Sequence, residues 1–565
     1  MVKASAGIAD VHWAMFDAHR HHLVPRRRTG RRRGAHPARV LGTLALVAAT
    51  AAVAVGGGPP AARAVADGVV PGMAETASRP SASAPPTVLW VDPVRGRDRD
   101  TGADRRHALR TLGEAWARVP DAPATGGGVR IRITPGVVPY GSVRNGWLEG
   151  HHGSAAAPIS IEAADGAGTV TIDGGLNVYD VAHLSFVGLR FVAGGGHPAA
   201  SDVALHVERA DHLTLRRVWV TAGHDLHEGL KVNQSQHVYV EDSTIAGSYE
   251  NPVDFVAVQY GHVLRSNIHH GDDWCMYAKG GSAHLVIAGN RFHHCGTGGF
   301  SAGQGTGFEF MTAPWLHYEA YGIEFVDNVV HDTDGAGMGV NGGFDVLLAH
   351  NTLYRVGARS HVIEVVHGGR GCDGDTGTCR AHHDLGGWGP ASGDIGQVIP
   401  NRHVYVLNNV VENPAPFRSA WQQFDLRGPV HPPAGANVPD PARGDDDLRI
   451  AGNVIWNGPR THPLGIEGST ACTDANPTCN AAQLRRDNRI NTVEPRLVHP
   501  GSAPRDFRLV GGAVAGATLA PVPPAIWSDA PSRPDLRGSG QPWSDAVRFT
   551  RSGEPRTASS PPGAY

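Results

Sequence analysis

One phrase recurs along the chain: a short strand of alternating apolar and polar residues, a polar turn, then a second short strand. It falls at residues 184–191, 213–220, 238–245, 285–292, 323–330, 346–353, 404–411 and 448–455. Alternation with period two marks strands that bury one face and expose the other. An Asn near the turn sets the spacing. Asn267 to Asn290 and Asn328 to Asn351 are each 23 residues, Asn290 to Asn328 is 38, Asn351 to Asn409 is 58 and Asn409 to Asn453 is 44. A base period near 23 with loop insertions predicts a solenoid. Each repeat is then one turn of a parallel β-helix, with coils about 4.8 Å apart. The Asn side chains are expected to stack at one corner and hydrogen-bond along the axis. A leucine-rich repeat is the alternative solenoid, but its helical segments are missing from the pattern.

Composition fits this all-β reading. The 565 residues include 74 Gly and 41 Pro, too many for a long helical bundle. With 41% hydrophobic residues and a net charge of −3, the chain can bury a large core and does not read as disordered. The near-neutral balance lacks the basic footprint of a nucleic-acid binder. Of 50 Lys and Arg only Lys3, Lys231 and Lys279 are Lys, so the middle of the chain has kept two.

The N-terminus reads as an export signal. Arginine runs at 26–28 and 31–33 precede an apolar stretch at 40–55 and the small-residue sites Ala62-Arg63-Ala64 and Ala64-Val65-Ala66. The long basic segment leaves room for a start downstream of Met1. The apolar stretch is short for a bilayer span, so general secretion is expected, with no stable membrane association after cleavage. The expected organisation is a signal peptide over 1–64, a Pro/Ser/Ala-rich linker over 65–87, the β-helix over 88–510 and an irregular tail over 511–565. Six cysteines in three local pairs, Cys275 with Cys295, Cys372 with Cys379 and Cys472 with Cys479, predict three disulfides and an oxidising, extracellular compartment.

The segments 89–98, 109–116 and 131–136, with the later 506–509 and 534–537, resemble the entry and exit of the pectate-lyase-like right-handed β-helix superfamily. The resemblance implies a right-handed helix, an N-terminal capping helix over the open end, and a polysaccharide as substrate. A cap is needed because a terminal coil would expose core and strand edge.

Chemistry concentrates between His224 and Glu324. Asp225 and Glu228, then Asp254, then Asp272 and Asp273 come at the starts of successive strands and are expected to form an acidic column. Such carboxylates hold a hard cation, here Ca²⁺, or work as an acid/base pair. Lys231 and Lys279 are 48 residues apart, which is two coils, and a one-residue ambiguity decides whether each points inward or out. A lysine in a dry core needs a partner, so both are expected at a groove or beside a carboxylate.

Two narrower resemblances overlap here. Residues 274–282 and 290–295 are similar to the region around the Lys base of alginate and chondroitinase-B-type lyases, which places Lys279 as base and Asp272 as a calcium-binding acid. Trp274 stands at the second acid position and Ser301 near the expected Arg. Residues 251–254 and 271–275 also resemble the paired aspartates of polygalacturonases, which would make Asp254, Asp272 and Asp273 inverting carboxylates. There the family's His-bearing Gly-His-Gly motif is replaced by 296–299 of this chain. His270, His293 and His331 each fall three residues after a repeat Asn and are expected to stack. With His269 and His294 nearby, such a column could hold a transition metal such as Zn²⁺.

The insertion 303–321 adds aromatics. Trp315 and Tyr318 are candidates to stack on sugar rings, with Glu309 and His317 as polar partners, and Arg359 and Arg370 to neutralise a substrate carboxylate. The leading expectation is a secreted, monomeric lyase cleaving a uronate polysaccharide by β-elimination. An inverting hydrolase and a non-catalytic carbohydrate-binding solenoid are the alternatives.

Overall fold

A computed structural model describes residues 85–565 except 121–126, 200, 373, 389–396, 433, 435, 502–504, 515, 524–542, 544–546 and 558. The signal peptide and nearly all of the linker lie outside the described residues.

The chain winds as a parallel β-helix with three strands per coil. Strands such as Glu228–Asn233, Asn251–Val256 and Trp274–Lys279 stack into a first face, and Gln236–Glu241, Gln259–Leu264 and Ser282–Ala288 into a second. Thr244–Ala246, Asn267–His269 and Arg291–His293 belong to a third. Every ladder between coils is parallel. Inward positions are Val, Ile, Leu and Phe, so columns such as Val253, Met276 and Phe300 build one continuous core.

Polar groups enter that core at one corner. The amide of Asn290 donates to Asn328 Oδ1 at 2.9 Å, Asn328 to Asn351 at 2.9 Å, Asn351 to Asn409 at 2.8 Å and Asn409 to Asn453 at 2.8 Å. Each Asn Nδ2 also donates to a neighbouring oxygen, so these fully buried side chains leave little backbone unpaired. Upstream the same duty passes to Ser266 and Ser243. Asn267, expected in the ladder, lies one residue past it, opposite Arg291 on the third face.

That slip has a cause. Val256 pairs with Lys279, 23 residues on, but Gln259 pairs with Ala283, 24 residues on. The extra residue sits in the corner Gly280–Gly281, where both glycines take positive φ (65° and 83°), a region open to Gly at no steric cost.

Helix α1 (Leu112–Ala117) buries Leu112, Ala115 and Trp116 over the first coils, as expected of a cap; Thr111 Oγ1 accepts from the Glu114 amide at 3.1 Å. At the other end the last coil strand is Arg489–Ile490, while Leu497–His499 and Asp506–Leu509 form a separate antiparallel pair. The solenoid therefore stops short of residue 510. The tail beyond it is docked: Trp543 is buried against Tyr405, Arg556 pairs with Asp327, and the Ala564 amide donates to Thr352 Oγ1 at 3.0 Å. All three expected disulfides are formed. No helix among the described residues is long and apolar enough to cross a membrane.

Candidate functional site

On the first face, outward side chains form columns that run across the coils. Asn177, His206, Lys231, Asp254, Tyr277 and Ser301 stand opposite one another in turn, and Gly339, Glu364 and Asp425 continue the line. Two residues along each strand, Tyr179, Glu208, Asn233, Val256 and Lys279 form a second column. Lys231 and Lys279 are thus offset by two positions. Because the offset is even, both point out of the core.

The two lysines converge on one carboxylate. Lys231 Nζ lies 3.4 Å from Asp254 Oδ2, and Lys279 Nζ lies 3.4 Å from Asp254 Oδ1. Lys231 also donates to Glu228 Oε1 at 2.6 Å, and Lys279 to Gln304 Oε1 at 2.7 Å with its ammonium 4.7 Å from the Tyr277 ring centre. The carboxylates are the buried partners: Asp254 and Glu228 side chains are 1% and 5% exposed, against 26% for Lys231 and 14% for Lys279. What the cluster presents outward is therefore ammonium. Burial opposes the charge on Lys231, but Asp254 and Glu228 outweigh it and raise its pKa. Burial, helped by Lys231, lowers His206 to about 4 and keeps it neutral. Asn177, Asn233 and Asp254 each keep a buried polar atom without a hydrogen-bond partner at these outward positions.

The remaining acids go elsewhere. Asp225 Oδ1 accepts from the Gly195 amide at 2.6 Å and caps a turn. Asp272 is exposed and lies 3.5 Å from His224. Tyr277 donates to Asp273 at 3.3 Å, and burial raises the pKa of both groups. Among the described residues, no three of Asp225, Glu228, Asp254, Asp272 and Asp273 bring ligand atoms within 4.8 Å of one another. The predicted set divides: Glu228 and Asp254 hold the lysines, Asp272 and Asp273 precede the strand that carries Tyr277, and Asp225 belongs to neither group.

The insertion after Gly303 walls the groove at the ends of the first-face strands. Its strand Gly305–Gly307 pairs with Gly368–Gly371, and the Phe310 carbonyl accepts from Gln234 Nε2 at 3.2 Å. Glu319, fully buried, anchors it by accepting from Arg370 Nε at 2.8 Å, Thr306 Oγ1 at 2.7 Å and the Gly280 amide at 3.1 Å. Arg370 is thus spent inside the wall and does not reach a substrate. Arg359 is exposed and pairs with Asp334 at 3.0 Å. Tyr318 is core to the insertion, packed on Tyr321 and Phe344, and Trp315 packs with Phe308 and Met311 against the Cys372–Cys379 bridge. Glu309 lies beside that bridge, and His317 stacks edge-on with Trp388 at 4.8 Å. Other aromatics are exposed, among them Phe310 on this wall, and Tyr249 and Trp421 before the first-face strands. Trp421 stands 6.2 Å from His361, which bonds Glu364 at 3.0 Å. Nothing in the local pattern distinguishes these three from the interior aromatics, because exposure depends on how the loops dock.

The predicted histidine column forms with one substitution: His269, not His270, stacks with His293 and His331, at 4.6 and 4.7 Å. It inherits the one-residue slip at Asn267.

Residues 203–373 match the family described as right handed beta helix region. Similar solved structures include the complex of XylC with xylose, at 9% identity over 85% of this chain and 98% of that one, TM-score 0.47. Pectate lyase Pel9A is 14% identical over 70% of this chain and 82% of its own, TM-score 0.33. The A-module of the Azotobacter vinelandii mannuronan C-5 epimerase AlgE6 is 11% identical over 58% and 85%, TM-score 0.36. No curated protein matches the chain. The likeness is one of fold, a right-handed parallel β-helix.

Proposed function

We propose that this right-handed β-helix is an exported lyase that cleaves a uronate-containing polysaccharide by β-elimination in its first-face groove. The observation that carries the reading is the pair of ammonium groups around buried Asp254. At this cluster the carboxylates are covered and the lysines are the more accessible partners, which suits an anionic sugar. Lys231, held charged by two carboxylates, would pair with the uronate carboxylate and so acidify the C5 proton. Lys279, once its ammonium has given up a proton to solvent, would take the C5 proton; the electron pair forms the C4–C5 double bond, the C4–O4 bond breaks, and water protonates the leaving oxygen. Gln304 and the Tyr277 ring hold the Lys279 nitrogen in place. In this reading the ammonium groups stand where a calcium ion was expected, and the scattered acids do not fit one.

A hydrolase is the second reading. Its support is Asp273, whose carboxyl pKa is raised by burial, the direction a general acid requires. Incubation with alginate, polygalacturonate and glycosaminoglycans separates the two. Unsaturated product seen by ultraviolet absorbance, lost in Lys279→Ala, supports the lyase. New reducing ends without that absorbance support the hydrolase, and binding without either supports a carbohydrate-binding solenoid.

A further inference from the structure

On the third face, four histidines form two stacked pairs in consecutive coils. His269 lies over His293 with ring centres 4.6 Å apart, and His270 over His294 at 5.0 Å. The pairs face each other edge to edge, with Nδ1 of His269 2.5 Å from Nδ1 of His270 and Nδ1 of His293 2.7 Å from Nδ1 of His294. We infer that these imidazoles form a site for one late divalent transition metal, of the Zn²⁺, Cu²⁺ or Ni²⁺ class, which clips the two coils together.

Four observations carry this. Each contact turns two Nδ1 atoms toward one another, and a proton shared between them accounts for its length; a metal taking both nitrogens would displace that proton and part the rings. His293 Nε2 lies 3.0 Å from Asn267 Oδ1, which takes the ring proton on that side and leaves Nδ1 free to ligate. His270 and His294 occupy one corner in successive coils, with positive φ (64° and 57°) as at Asp332 (53°) in the next coil, and their exposed rings stack there. Ligand atoms of His269, His270 and His293 all lie within 4.8 Å of one another. An all-imidazole set without thiolate or carboxylate selects late transition metals over calcium.

The site ends at His331. That ring is already bonded on both sides, Nδ1 to Asp332 at 2.8 Å and Nε2 to Arg291 Nε at 2.8 Å. Arg505 covers Asp332, so the group His294, His331 and Asp332 offers no second site.

The test uses the full chain without a histidine tag, stripped with EDTA and titrated with Zn²⁺ by calorimetry. His270 and His294 are exposed, and His270→Ala/His294→Ala is expected to bind one equivalent fewer than wild type while keeping its circular dichroism. An equal number of equivalents overturns the site. Electron paramagnetic resonance of wild-type protein loaded with one equivalent of Cu²⁺ tests it independently of any variant's folding. Coupling to three or more imidazole nitrogens is expected, and a spectrum dominated by oxygen ligands overturns the proposal.

Discussion

Lys231 and Lys279 share one carboxylate, each 3.4 Å from a different oxygen of Asp254. They reach it from different coils and different positions along the strand, yet their roles in the proposed reaction are not interchangeable. Lys279→Ala is expected to lower kcat by about 100-fold or more, the range of a lost general base. Lys231→Ala is expected to act chiefly on KM, since it removes the charge that meets the uronate. Steady-state kinetics on the substrate found by product absorbance decides. A larger kcat loss for Lys231→Ala would reverse the assignment.

Calcium removal supplies the second prediction. Because Glu228 and Asp254 are engaged by ammonium groups, EGTA is expected to leave turnover unchanged. Loss of activity with EGTA, restored by added Ca²⁺, would show a metal-dependent reaction at the groove.

Glu319 and Arg370 are both fully buried, so removing one partner strands the other. Glu319→Gln is expected to cost about 3–5 kcal/mol, the usual penalty for an uncompensated buried charge. The loss should appear as faster proteolysis within the insertion and lower turnover, because Gly280 and Thr306 depend on the same carboxylate. Glu319→Leu with Arg370→Met should recover protease resistance.

Asn351 takes the Asn328 amide on its oxygen and donates to the Phe325 carbonyl at 2.9 Å. Asn351→Ala leaves both buried and unpaired, an expected loss of about 2–4 kcal/mol in urea denaturation. Asn290→Ser should cost much less, since serine fills the same place one coil earlier at Ser266.

Buried histidines give the pH dependence its sign. Burial, with Arg556 nearby, pushes His350 down to about 3 from 6.5. The unfolded chain takes up the proton below pH 6.5 while the folded chain refuses it until about 3, so this contribution is complete above 6.5 and is lost as pH falls. His284 and His331, both lowered to about 4, act in the same direction. Stability measured by denaturation is expected to fall between pH 6.5 and 4, and His350→Gln to make the slope shallower by about 1.4 kcal/mol per pH unit.

The coil architecture was legible because alternation and the Asn period are local properties of the chain. Five ladder asparagines, Asn290 through Asn453, stand where the spacing puts them. Asn267 and the histidine column were misplaced by one residue, since the added corner residue leaves no trace in a period counted between Asn side chains. The lysines were visible through their rarity, and their 48-residue spacing exceeds two coils of 23 by the two-position offset, but the count between them does not say where the side chains meet. The insertion was the least legible part. Trp315 and Tyr318 read as sugar platforms from composition, but only the docking of 304–319 on 367–371 shows that they are its interior. Arg370 meets Glu319 across 51 residues, a distance no local pattern reports.

The corner Gly280–Gly281 has one consequence for how this protein can change over time. Its added residue is absorbed before Ser282, so Ala283 and everything after it rejoin the ladder in step. Length can therefore vary beside Lys279 without displacing the asparagine column or the core. The groove and the scaffold are free to diverge at different rates, and substrate preference could be altered by rewriting corners and insertions alone.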